Sequence, residues 1–167
     1  MINFDIKNRF TGDVQVTAEI DCDENTDNSI KLGLAIICAV NDGADLSGAK
    51  LKGATFKDII LKGVPKIDKI HQKVYEAASK ENALDMDAWH TCETTHCRAG
   101  WVTTLAGEEG QKLEEKIRTA NAALLIYIAS DPDYISRDGI PDFYTDNEPA
   151  LADMKRLADL EAAQSNN

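Results

Sequence analysis

Hydrophobic and polar positions in residues 44–63 follow a period of five. Leu46, Leu51, Phe56 and Leu61 recur at that interval, and Ala44, Ala49, Ala54 and Ile59 each stand two places earlier. Neither the helix period of 3.6 nor the strand period of 2 gives this spacing. A five-residue repeat with two apolar columns suits a square coil, each pentapeptide making one short side and both columns facing the axis. Lys50, Lys52, Lys57 and Lys62 then fall on the wet outside.

The rest of the chain follows ordinary periods. Ile2, Phe4 and Ile6 alternate with polar residues, as do Val14, Val16, Ala18 and Ile20. They predict two half-buried strands joined around Thr11-Gly12-Asp13, set beside the coil. Asn28 or Ser29 caps a helix over 30–40 that is apolar on most sides, ends at Asn41-Asp42-Gly43 and plugs one end of the coil. Pro65 opens a second helix with Ile67, Ile70, Val74 and Ala78 as its stripe. Thr94 or Thr95 caps a third, which starts near His96 and stops at Gly107. Residues 108–130 read as helical with a break near Arg118-Thr119; Leu124, Leu125, Ile126 and Ile128 belong to the core. Asp131-Pro132 ends that run. A loop follows, pinned by Tyr134, Phe143 and Tyr144. Asn147 then caps a last helix with Pro149 just inside it, and the final residues fray.

The columns in ADLSG AKLKG ATFKD IILKG resemble the A(D/N)LxX signature of the pentapeptide-repeat family. The resemblance implies a right-handed quadrilateral β-solenoid, and four units make about one turn. A lone turn cannot bury its apolar surface against a neighbour, so the other elements must cover it. The expected fold is therefore α+β: a single pentapeptide turn with short N-terminal strands, packed against a mainly helical body, all within one domain (1–63 and 64–167).

Composition changes the functional picture more than the structural one. Eighteen basic and 29 acidic residues give a net charge of −11, which repels nucleic acid and anionic membranes. Residues 131–167 hold nine acidic and three basic side chains, a net of −6 and over half the excess. No apolar run reaches the length of a signal-peptide core or a membrane span, so the cytoplasm is expected. The acidic run from Asp21 to Asn28 lacks EF-hand spacing and reads as an exposed loop.

Both tryptophans, two of three histidines and two of four cysteines fall within WHTCETTHCRAGW, residues 89–101. Three chemical readings stand beside a structural one. His90, Cys92, His96 and Cys97 have the residue types of a zinc site, although His96 and Cys97 are adjacent. Cys97 near a helix start, beside Arg98, is a candidate nucleophile with His90 or His96 as base. A Cys92–Cys97 disulfide would close a short loop, against the redox state of the cytoplasm. In the structural reading Gly100 admits another backbone, Trp89 and Trp101 fill the core, and Cys97 packs beneath them. The HCxAGW pattern followed by LAG resembles segments of uncharacterised bacterial and phage proteins, some carrying pentapeptide repeats; this implies a phage or prophage setting and no activity.

The function expected from these features is that of an acidic protein-interaction module, more an inhibitor than an enzyme. It would occupy the basic nucleic-acid-binding surface of a host protein such as a defence nuclease, topoisomerase, CRISPR effector or restriction enzyme, with no bound cofactor. Candidate contacts are Asp131, Asp133, Tyr134, Asp138, Asp142, Tyr144, Asp146 and Glu148, because tyrosine gives contact area at low entropic cost. A cysteine-dependent enzyme and a structural phage protein are the alternatives.

Overall fold

In chain order the elements are β1 (Ile2–Lys7), β2 (Val14–Ile20), α1 (Asn28–Asn41), α2 (Ile70–Ala78), β3 (His90–Cys92), β4 (Thr95–His96), α3 (Arg98–Leu105), α4 (Gly107–Ile117), α5 (Thr119–Ser130), α6 (Pro132–Asp138) and α7 (Asn147–Gln164). The structure is a computed structural model and describes residues 1–46, 48–56 and 59–164, without the side chains of Ile135 and Ser136. The expected positions of Lys57 and of the final residues 165–167 lie outside the described residues. Two compact units are formed, one by Met1–Lys62 with Asp131–Ile140 and one by Gly63–Ser130 with Pro141–Asn167.

In the first unit β1 and β2 pair antiparallel, Ile2 opposite Ile20 and Phe4 opposite Ala18, with a register shift between Ile6 and Lys7. Gly12, at φ 79°, turns the hairpin, and Asn8 Oδ1 accepts from the backbone N–H groups of Phe10 and Thr11. Ile6, Ala18 and Ile20 are buried, as are Ala35, Ile36, Ala39 and Val40 of α1, which packs on the hairpin. The cap of α1 is Asp27, one residue before the expected pair, its carboxylate accepting from Ser29 N at 2.8 Å.

The expected pentapeptide solenoid is not seen. The described residues between 44 and 63 contain no strand, only a bridge from Ala49 to Asn8. The period of five appears instead as a spacing of turns: Ala49 N donates to Leu46 O, Ala54 N to Leu51 O and Ile59 N to Phe56 O. Leu46, Leu51, Ala54 and Phe56 are buried, whereas Lys50, Lys52 and Lys62 are exposed. The physical reason is the missing second turn. With no neighbour to share a ladder, the backbone bonds go elsewhere: Lys50 N to Lys7 O, Arg9 N to Gly48 O and Thr55 N to Ser29 O. Gly33 lets α1 approach this stretch, since a Cβ there would stand 2.2 Å from Thr55 O.

The second unit is helical around α5. Residues 122–128 are buried on all sides, α3 and α4 pack on that helix, and α2 packs on α7. The break before α5 falls at Arg118, whose φ is 75°. The second helix starts at Ile70 rather than at Pro65. Ile67 N–H is taken by Ser130 Oγ at 3.0 Å, and Lys69 sits in the left-handed region, so no helical path runs through 65–69. The expected loop after Asp131 also needs correction, because α6 occupies its first part. Among the described residues no helix is long and apolar enough to cross a membrane.

Candidate functional site

The segment 89–101 folds as a two-strand hairpin running into α3. His96 is bonded through its backbone to Ala83 O and Asp85 N, and Cys97 N donates to Trp89 O. Thr95 Oγ1 donates to Asn82 O, which removes it from the expected helix cap. Cys97 takes that role: its Sγ accepts from Gly100 N at 3.3 Å. Gly100 does admit another backbone, since a Cβ would lie 2.0 Å from Trp89 O. Trp101 donates from Nε1 to Ala83 O at 2.8 Å and stays half-buried, whereas Trp89 is 37% exposed and not a core residue.

The structure divides the sequence candidates into one group that meets and one that does not. His90 and His96 meet, with Nδ1 facing Nδ1 at 2.9 Å and rings nearly perpendicular. Nε2 of His90 faces Glu114 Oε1 at 2.8 Å, and Nε2 of His96 faces Glu93 O at 3.2 Å. Glu114 also accepts from Thr119 Oγ1. Cys92 lines the same open hollow as the two histidines, Glu93, Gln111, Glu114 and Glu115. Cys97 does not belong to this group. It is 1% exposed, and burial pushes its thiol pKa up against the pull of the Gly100 and Ala99 N–H groups. That is the environment of a helix cap, not of a nucleophile.

Cys92 stands in the opposite environment. Its side chain is exposed, and hydrogen bonds from Thr94 and Thr95 lower its pKa to about 7. Burial holds the pKa of His96 down, and the nearby charge of His90 adds to this. Burial would raise the pKa of Glu114, but hydrogen bonds from Thr119, His90 and Thr103 outweigh it and leave the carboxyl below its ordinary range. All four thiols are free, so Cys92 and Cys97 are not joined. No group of three or more His, Cys, Asp or Glu side chains among the described residues is gathered for a metal ion.

Sequence reasoning missed Arg98 and its partners. Arg98 is 1% exposed, donates from Nη1 to Asp153 Oδ2 at 2.7 Å and from Nε to Tyr127 Oη at 3.2 Å, and so ties α3 to α7 and α5. The partners lie 55 and 29 positions away, beyond any local pattern.

The proposed partner contacts also divide. Tyr134 is 2% exposed and cannot meet a partner. Asp131, Asp133 and Asp138 belong to the first unit, whereas Asp142, Tyr144, Asp146 and Glu148 belong to the second. In the second unit Tyr144 is 67% exposed and stands edge-on to Trp89, ring centroids 5.8 Å apart. Asp142, Asp146, Glu148 and Asp87 are exposed, each within four positions of one of these aromatics. Asn147, which was expected to cap α7, instead accepts from Met86 N and donates to Leu84 O, holding the two aromatic segments together.

Compared with known proteins, the chain matches no family model, no curated protein and no solved structure.

Proposed function

We propose that the chain is an acidic protein-interaction module that binds a basic surface through the Trp89–Tyr144 face. The observation that carries this reading is the exposed aromatic pair with Asp87, Asp142, Asp146 and Glu148 close by in the chain. An aromatic ring takes an arginine or lysine head group over its face, the surrounding carboxylates pair with further cations, and tryptophan and tyrosine supply buried contact area. The net charge of −11 steers such a partner toward the protein and lets the chain stand in for nucleic acid on its surface. A phage origin, as the HCRAGW resemblance implies, makes the partner a host protein, met in the bacterial cytoplasm.

An arginine-rich peptide titrated calorimetrically against the protein tests the face. We expect the joint change Trp89→Ala and Tyr144→Ala to weaken binding by about tenfold or more, in line with loss of an aromatic hot spot. The joint change Glu108→Gln and Glu109→Gln removes two exposed charges from α4 and should shift binding about twofold or less. Equal losses in the two variants would mean that charge alone attracts the peptide, and the face would lose its role.

A further inference from the structure

The rings of Trp89 and Tyr144 are inclined by 76° with centroids 5.8 Å apart. Two such planes form a corner, not a slot, and both rings are open to solvent. The corner is also held in place. The Asp85 carboxylate accepts from Asp87 N at 3.1 Å and from Thr91 Oγ1 at 2.6 Å, one on each side of Trp89 in the chain. Trp89 O takes the N–H of Cys97. The bend at Tyr144 is fixed by its own N–H, which donates to Asp142 Oδ1 at 2.9 Å. Asn147 joins the two segments. A ligand therefore meets rings that are set before it arrives.

Charge and shape select that ligand. Residues 84–92 and 141–148 contain five carboxylates and no lysine or arginine, which favours a cation. A guanidinium is flat and stacks on one ring, so across this corner it turns only its edge to the other. Its N–H groups, like those of a plain ammonium, would lose water against ring faces that return no ordinary hydrogen bond. A trimethylated ammonium is rounded, lays methyl groups on both faces and has no N–H to leave dry. We propose that the Trp89–Tyr144 corner binds an N-methylated lysine side chain of the partner protein, the trimethylated form most tightly. This assignment rests on the proposed interaction face and names the cation that the face selects. Asp87, Asp142, Asp146 and Glu148 supply charge, and the rings supply contact.

Three peptides of one sequence, with lysine, trimethyl-lysine or arginine at a single central position, test this by calorimetric titration against the full-length protein. The trimethylated peptide should bind about fivefold tighter or more than either of the others, the scale of a cation–π contact on each ring. Tyr144→Leu, at an exposed position, should remove that preference and leave the weaker attraction of charge, with the circular dichroism unchanged. A lysine or arginine peptide that binds as tightly as the trimethylated one, or a preference that Tyr144→Leu leaves intact, overturns the assignment. The joint change Trp89→Ala and Tyr144→Ala then separates the two failures. Loss of binding for all three peptides keeps the face as a surface for cations in general, whereas no loss removes the face as well.

Discussion

Gly100 and the two cysteines around it show how single positions decide this site. Any side chain at Gly100 meets Trp89 O, a backbone atom that cannot swing aside. Gly100→Ala should cost about 3 kcal/mol or more, as overpacking against fixed backbone does, and urea unfolding measures it. Cys92 and Cys97, five positions apart, have opposite environments. In the native protein we expect iodoacetamide to modify Cys92 quickly, with a half-maximal rate near pH 7, since the thiolate reacts and its pKa is about 7. Cys97 is buried and should react only once the protein unfolds. Mass mapping after a short pulse separates the two; equal labelling would contradict the described burial.

At the scale of elements, the Arg98–Asp153 pair joins α3 to α7. Burial pushes the Asp153 pKa up, but hydrogen bonds and charge from Arg98 and Arg156 prevail and hold it below the ordinary range. The folded value lies below the unfolded one, near 3.9. The contribution of Asp153 is therefore full above about pH 4 and lost as pH falls through the folded value. Asp153→Asn should lower stability by about 1–3 kcal/mol at pH 7, and its deficit relative to wild type should shrink below pH 4. Denaturation at several pH values checks both the size and the trend.

The same scale shows what the chain made legible. The strand alternation, the end of α1 at Asn41-Asp42-Gly43, the break at Arg118 and the apolar run of α5 rest on local period and local caps, and all appear in the structure. The solenoid failed because a period fixes which residues face inward but not the ladder that makes a coil. Leu46, Leu51 and Phe56 are buried as the period requires, whereas Leu61, Ala44, Ala49 and Ile59 are only half-buried, and one turn has nothing to pair with. Local signals also misplaced two caps. Thr95 and Asn147 are good caps by type, but each is engaged by a carbonyl of the 82–84 stretch, a tertiary competition invisible in sequence. His90 and His96 stood out by composition, whereas Glu114, which orients His90 from 24 positions away, did not.

For the whole molecule, the consequence of charge lies in what it attracts. An excess of 11 negative charges predicts association that weakens as salt rises, through the on-rate above all. The measurement closest to the central claim is capture of partners from a bacterial lysate with the tagged protein, washed across a salt series and challenged with duplex DNA. We expect retention of one nucleic-acid-binding protein that is released by rising salt, competed off by DNA and missed by bait carrying Trp89→Ala and Tyr144→Ala. A lysate that yields no partner at low salt, or one indifferent to DNA and to the aromatic pair, would contradict the claim that this acidic face occupies a basic nucleic-acid-binding surface.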